Sequence, residues 1–327
     1  MAGSDVKLSR EHLQHESEAT GFRPDVLEKV IHLLNLLEGF RSHPFLKSRL
    51  ALKGGTALNL FILELPRLSV DIDLNYIGTP DRETMLAERP KVEEAVRAVC
   101  SREGFDLQRL PDEHAGGKWR LRYDSALGQG GNLELDLNYM FRLPLWPVSP
   151  VNSHGIGSYR AEQIPVLDLH ELTAGKLAAL LARRASRDLF DAHQLLTRCS
   201  FDEQRLRTAF VLYGAMNRRD WRTVSVDDVD FEPGELKNQL LATLRRNDAT
   251  AIGKPEFWAR RMIDECREAL GAVLPLSEPE LEFLDRLLDH GEIALPLLAT
   301  AEAWAETVKG HPALEWKALN VRQHKNL

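Results

Sequence analysis

A single stretch, Leu52 to Tyr76, constrains the fold more than any other part of the chain. It consists of a turn, a helix and a strand in succession. The turn contains two glycines and a threonine, Gly54, Gly55 and Thr56. The apolar spacing of residues 57–65 predicts a helix, which Pro66 ends because proline lacks a backbone N–H and disfavours helical geometry before it. Residues 69–74 alternate polar and apolar side chains, which predicts a strand with one buried face.

Two carboxylates, Asp71 and Asp73, lie on the same face of that strand, because strand side chains repeat every second residue. They repel each other unless a cation lies between them, and Mg²⁺ (or Mn²⁺) prefers such oxygen ligands, together with water and substrate phosphates. The glycine turn at the start of the helix lets backbone N–H groups approach an anion. Together these features predict a metal-dependent site for a nucleoside triphosphate.

The order of these residues resembles the first motif of the nucleotidyltransferase superfamily. The matching positions are Gly54-Gly55-Thr56 and, after the helix, Arg67-x-Ser69-x-Asp71-x-Asp73. In detail the pattern is similar to the AbiEii/AbiGii-type nucleotidyltransferase toxins, the MenT-like proteins of type IV toxin–antitoxin and abortive-infection systems. The general superfamily motif has Gly-Ser where this chain has Gly-Thr, and its helix is about a turn shorter. The resemblance implies that the turn, with Ser69, binds the nucleotide and that both aspartates bind the metal.

A second acidic strand follows. Residues 118–124 and 132–139 alternate around a glycine-rich turn, which predicts an antiparallel hairpin. Glu134, Asp136 and Asn138 share the face opposite the leucines, and such a face is often merely solvated. The functional interpretation makes Asp136 the third carboxylate of the site and a general base, with Glu134 as the substitute. The Leu-Asp-Leu setting of Asp136 is similar to the third-acid strand of the family.

A helix after the hairpin carries the next predicted site residues. Asp168 and Glu171 predict a capping box before an apolar run. Lys176 lies on that helix, where a lysine is ordinarily solvated; alternatively, its compact charge suits a phosphate. The segments Asp-Leu-x-Glu-Leu-x-x-x-Lys and Arg-Asp-Leu-x-Asp resemble later motifs of the same toxins, which implies that Lys176 and Asp191 complete the site. Asp188 either holds a neighbouring arginine or joins the site itself.

The chain has 327 residues and a net charge of −7. This length predicts two domains, and we expect the α/β (α+β) class. We predict a nucleotidyltransferase core over 1–145 with a small mixed sheet flanked by helices. A linker follows over 146–165. The helical domain over 166–327 contributes Lys176 and Asp191 to the site. The polar N-terminus, the lack of a long apolar run and three dispersed cysteines predict a cytoplasmic protein without a membrane span. The arginines of the helical half are either solvated or line an RNA groove.

These features predict transfer of a nucleoside monophosphate from an NTP to an acceptor hydroxyl. The resemblance implies that the acceptor is a tRNA 3′ end and that the protein is a toxin with a cognate antitoxin. A protein side chain or a small molecule is the alternative acceptor. A non-catalytic binding module of the same fold is the alternative from another class.

Overall fold

The computed structural model describes residues 8–109, 115–298 and 302–325. It confirms a mixed α/β fold built on one seven-stranded sheet with the strand order β3-β4-β5-β2-β1-β7-β6. The strands are β1 Leu50–Lys53, β2 Asp71–Tyr76, β3 Asp106–Arg109, β4 Gly116–Asp124, β5 Gly130–Asn138, β6 Ser149–Val151 and β7 Ile164–Val166. The sheet is mixed, because β2 pairs with β1 antiparallel and with β5 parallel. The predicted hairpin is β4 paired antiparallel with β5.

The first helices pack around this sheet. They are α1 Arg10–Thr20, α2 Pro24–Ser42, α3 Gly54–Thr56 and α4 Arg82–Arg102. Helix α2 begins with a proline in its first turn, where the missing N–H costs nothing, and it contacts β5, β7 and α4. Leu133, Leu135 and Leu137 of β5 are buried, whereas Glu134 and Asp136 on the other face are partly exposed. The apolar face of the sheet therefore joins the core, and its acidic face is left for the site.

The remainder of the chain is mainly helical, as predicted. The helices are α5 Leu169–Ala182, α6 Ser186–Arg198, α7 Glu203–Ala215, α8 Pro233–Glu235, α9 Arg246–Ala251, α10 Pro255–Ala269, α11 Glu278–Asp285, α12 Glu302–Lys309 and α13 Pro312–Lys325. Their buried residues form a second apolar cluster beside the one under the sheet. Among the described residues no helix is long and apolar enough to cross a membrane. The division into domains at 146–165 stays a prediction.

Several local predictions need correction. The segment 146–165, interpreted as a linker, contains β6 and β7, and β7 joins the sheet beside β1. Strands of three residues are too short to show an alternating pattern, so composition alone suggested a loop. The helix predicted over 57–65 ends at Ile62, after a π-helical turn. Pro90 predicts an interruption of the helix over 81–103, but α4 continues through that proline.

The helical half also differs in two places. The pattern of residues 233–247 predicts a single helix, which is wrong: α8 is followed by a π-turn and a 3₁₀ turn before α9 begins. The pattern of residues 292–309 also predicts one helix. This is wrong, because a 3₁₀ turn at Leu295–Leu297 precedes α12; residues 299–301 lie outside the described part of the chain. Pro296 within that turn explains the break, since proline cannot donate the helical hydrogen bond.

Candidate active site

The acidic face of the sheet brings together the carboxylates of two separate segments. Asp71 and Asp73 lie on β2, two residues apart and therefore on one face. The parallel register of β2 with β5 sets Asp73 opposite Asp136 and Asp71 opposite Glu134. Adjacent strands are about 4.8 Å apart, so these four acids form a compact block. The structure thus places Asp136 next to the aspartate pair, although it is 63 positions from Asp73 in the sequence.

The glycine turn lies directly against this block. Gly54 has φ +71°, a left-handed conformation that favours glycine, and a Cβ there would stand 2.1 Å from Oδ2 of Asp73. The residue at this position must therefore lack a side chain if the carboxylate is to stay where it is. The Thr56 hydroxyl donates to the Asp71 carbonyl at 2.5 Å, which ties the turn to the start of β2. The turn and the aspartates form one unit, as predicted, and the Thr56 side chain is buried between the turn and β2.

A buried chain of ion pairs lies behind the turn. Asp191 is fully buried and receives both nitrogens of the Arg67 fork, at 2.8 Å on Oδ1 and 2.7 Å on Oδ2. Lys176 Nζ lies 3.0 Å from Asp191 Oδ2 and donates to Asp188 Oδ1 at 2.7 Å. Arg183 donates to the other oxygen of Asp188 at 2.5 Å. These five residues, called here the buried charge network, join the loop before β2 to helices α5 and α6.

The network also holds the glycine turn. The Asn59 amide donates to the Gly55 carbonyl at 2.9 Å and to Asp191 Oδ1 at 3.0 Å. A Cβ on Gly55 would stand 3.0 Å from Ser69 Oγ and 3.1 Å from an Arg67 nitrogen, so this glycine permits close approach. Ser69 is buried in the same contact. Asp191 and the turn are therefore linked through a single amide.

The pKa values follow from these contacts. Burial opposes the charge of Asp191, but Arg67 and Lys176 outweigh it and hold the pKa of that carboxyl well below its usual range. Burial likewise opposes the charge of Asp188, and Lys176 and Arg183 lower its pKa. The pKa of Lys176 is raised, because the two carboxylates outweigh its burial. All three groups are charged at neutral pH and compensate one another.

The exposed acids have a different electrostatic setting. Burial raises the pKa of Asp71 above its ordinary value; Arg187, 3.7 Å away, opposes this, and the charges of Asp73 and Glu134 add to it. Lys118 donates to Glu134 at 3.0 Å and lowers the pKa of that carboxyl. The raised pKa of Asp71 thus comes first from burial and then from the neighbouring acids, which Arg187 offsets only in part, and a bound cation would favour the charged form.

The residues fit a divalent metal. The donor set is carboxylate oxygen, the ligand that Mg²⁺ prefers, and the glycine at position 54 leaves the space that Asp73 needs. Within the described ranges no three acidic, histidine or cysteine side chains form a ready-made metal cluster. Mg²⁺ ordinarily takes one or two carboxylates from the protein and completes its shell with water and phosphates, so a pair is sufficient.

Every predicted site residue lies in or beside this assembly. Four residues that the sequence interpretation did not assign to the site also belong to it: Asn59, Arg67, Lys118 and Arg187. Arg67 stands inside the Arg-x-Ser-x-Asp-x-Asp pattern, and Asn59 follows Gly55 by four residues on one helix face, so local spacing could have suggested both. Glu171, predicted as a capping partner, instead accepts bonds from Tyr213 and from the Leu145 N–H, while Asp168 caps α5 alone.

Paired aspartates on a mixed sheet beside a glycine turn, with this fold, define a nucleotidyltransferase. The family model "Nucleotidyl transferase AbiEii toxin, Type IV TA system" matches residues 35–281, and the chain belongs to that family. Membership implies an NTP substrate and a cognate antitoxin. The chain is similar in structure to MenT4, a nucleotidyltransferase toxin from Mycobacterium tuberculosis H37Rv. The TM-score is 0.61 at 19% identity over 96% of this chain and 99% of that one, a likeness of fold. No curated protein matches the sequence.

Proposed function

We propose that this toxin transfers a nucleoside monophosphate from an NTP to an acceptor hydroxyl, with Mg²⁺ or Mn²⁺ held by Asp71 and Asp73. The observation that carries the proposal is the contact of the aspartate pair with the glycine turn, where a Cβ on Gly54 would strike Asp73. Phosphates bound at the turn and a metal bound at the aspartates would then be neighbours. The metal would neutralise phosphate charge as the α-phosphorus is attacked.

The proton of the attacking hydroxyl requires a base, and we assign this role to Asp136. The acceptor oxygen forms a bond to the α-phosphorus, the bond to the oxygen bridging the α and β phosphates breaks, and pyrophosphate leaves. Asp136 is in register with Asp73, so it stands beside the metal ligands. Glu134 is the poorer base, because Lys118 donates to it and lowers its pKa.

The buried charge network is assigned a positioning role. Asp191 has no exposed surface and its oxygens already accept from Arg67, Asn59 and Lys176. It therefore acts through the turn and through Lys176. Lys176 engages two carboxylates and is almost buried; its charge supports the phosphate-binding turn from behind. Asp188, which Lys176 and Arg183 both bind, orients Lys176 and is not a metal ligand in this proposal.

The proposed acceptor is a tRNA 3′ end. Exposed cations surround the acidic block: Arg183 and Lys118 are 66% and 68% exposed at their side chains, and Arg187 is partly exposed. Such cations can contact the phosphates of a polyanionic acceptor. Arginines of the helical half support an RNA groove less well, since several are engaged by carboxylates, for example Arg207 by Glu280 and Arg219 by Asp228.

The test uses the purified full chain, Mg²⁺, each α-³²P-labelled NTP in turn and total tRNA. We expect label on tRNA with at least one nucleotide, and a loss of at least about 100-fold in Asp71→Asn or Asp73→Asn. Asp248→Asn, at a carboxylate that is 57% exposed outside the site, is the matched control and should label fully. Equal labelling by Asp71→Asn, or no labelling by any nucleotide, rejects the proposed chemistry. Label on protein, with none on tRNA, rejects the acceptor and keeps the chemistry.

A further inference from the structure

A large groove lies at the far end of the strand that carries Asp136. It has a volume of about 1180 Å³ and runs between the start of α4, the turn after β5, the end of α7 and helix α13. Three of the five methionines of the chain line it: Met85, Met140 and Met216. Trp316 and Leu319 of α13 also line it and are 56% and 46% exposed. This Met-rich groove is a mainly apolar surface that nothing in the described chain covers.

The rim of the groove is cationic although the whole chain has a net charge of −7. Arg142 is buried, and its guanidinium donates to the backbone carbonyls of Pro80 at 2.8 Å and Tyr139 at 3.1 Å. Lys317 Nζ donates to the Asn217 carbonyl at 2.7 Å. Neither charge has a carboxylate within ion-pair distance among the described residues. Three more cations line the groove: Arg82 and Lys325 are paired with acids, whereas the exposed Arg218 makes no ion pair among the described residues.

These unpaired cations favour an anionic occupant. Burial lowers the pKa of Lys317 and of Arg142 more than the charges of Asp220 and Glu315 raise them, so neither cation is fully compensated. A carboxylate brought to the rim would restore that compensation. Glu315, the acid that lines the groove, makes no ion pair with either cation in the described structure.

We propose that the Met-rich groove binds an acidic amphipathic helix of a partner protein. An α-helix is about 10–12 Å across, and four turns of it embedded to half their diameter displace on the order of 1000 Å³, which matches the groove. Methionine side chains adapt to different apolar faces and are common in such grooves. The acidic side chains of the helix would lie along Lys317 and the exposed Arg218. Small-molecule pockets are usually no larger than about 1000 Å³ and more enclosed. For RNA bases to stack on, the lining offers Trp316 and Phe141, and Phe141 already packs on Tyr213 and His311.

This binding is independent of nucleotidyl transfer. Asn138, at the end of β5, lines the groove, and it lies two residues beyond Asp136 on the same strand face. The metal-binding pair is further away along β2, and neither of its members lines the groove. The Asp71→Asn variant should therefore lose catalysis and keep helix binding. Measuring both properties separates a failure of this inference from a failure of the proposed function.

The test measures fluorescence anisotropy of a fluorescein-labelled 18-residue peptide with the full chain. The peptide has leucines at helical i, i+3, i+4 and i+7 spacing and glutamates on the opposite face; the control peptide has the same composition in scrambled order. We expect saturable binding of the first peptide only. Trp316→Ala and Lys317→Glu should each weaken it at least tenfold. Phe257→Ala removes a 71% exposed aromatic side chain on α10 and is the matched control, with unchanged binding expected.

Each other outcome overturns the proposal. Absence of binding, equal binding of the scrambled peptide, or equal binding by Trp316→Ala and the wild type would do so. A labelled single-stranded RNA that binds more tightly than the peptide, and loses its binding in Lys317→Glu, would show instead that the groove holds nucleic acid. Because Trp316 is exposed, the alanine variant keeps the core intact, and a melting temperature equal to that of the wild type verifies this.

Discussion

Replacing Asp191 by asparagine should destabilise the protein strongly, although the side chain keeps its shape. Each carboxylate oxygen of Asp191 has two donors: Arg67 Nε at 2.8 Å and Asn59 at 3.0 Å on Oδ1, and Arg67 Nη2 at 2.7 Å and Lys176 at 3.0 Å on Oδ2. In either orientation the NH₂ of asparagine faces two donors. Arg67, which is 2% exposed, then keeps one backbone acceptor and no opposite charge.

The magnitude follows from this geometry. Removing one partner of a buried ion pair costs about 3–5 kcal/mol, because the other charge remains buried without compensation. Total folding stabilities are typically about 5–15 kcal/mol, so the loss is a large share. At about 2–4 °C per kcal/mol, the melting temperature should fall by on the order of 10 °C.

The assay is thermal unfolding followed by circular dichroism, with Asp71→Asn as the comparison. Asp71 is 40% exposed and its contact with Arg187 is 3.7 Å long, so the same substitution there should change the free energy of unfolding by less than about 1 kcal/mol. A melting temperature of Asp191→Asn within 2 °C or so of the wild type would refute the structural role given to the buried charge network.

Two further substitutions test the glycine turn and the buried acid of α5. Gly54→Ala should cost about 1–2 kcal/mol from its positive φ and also abolish nucleotide transfer, because the new Cβ displaces Asp73. Gly253→Ala has the same φ of +71° and open space around it, so it should lose similar stability and keep its activity; equal activity of the two variants would contradict the proposed contact. Burial raises the pKa of Glu171 from its ordinary value of 4.5 to about 7, so between these pH values the folded state binds more protons than the unfolded state. Glu171 by itself should therefore lower the free energy of unfolding by about 3 kcal/mol as the pH rises from 4.5 to 7, and Glu171→Gln should remove that contribution. Urea unfolding of both proteins across this range measures the difference, and the same pH dependence in the variant and the wild type would contradict the assignment.

The sequence predicted the parts of the site that depend on local periodicity. The alternation of polar and apolar residues placed Asp71 and Asp73 on one strand face. The glycine-rich turn before residue 132 predicted the hairpin that carries Asp136. The parallel pairing of β2 with β5, which aligns Asp73 with Asp136, involves strands far apart in sequence and leaves no local pattern.

Other features were out of reach for physical reasons. Arg67 and Asp191 are 124 positions apart, and their pairing depends on how the helical half packs against the loop before β2. The four-residue strand β1 was visible only as a short apolar run, which does not distinguish strand from helix. The predicted roles of Lys176 and Asp191 came from resemblance, whereas the structure supplies their burial and their partners.

The position of the label in the NTP tests the central claim most directly. The full chain is incubated with Mg²⁺, acceptor RNA and either α-³²P- or γ-³²P-labelled nucleotide, for the wild type and for Asp71→Asn. Because the proposed reaction breaks the bond between the α and β phosphates, α-label should appear on the acceptor, γ-label should appear in pyrophosphate, and Asp71→Asn should give neither. Transfer of γ-label to the acceptor, or undiminished α-transfer by Asp71→Asn, would contradict the account.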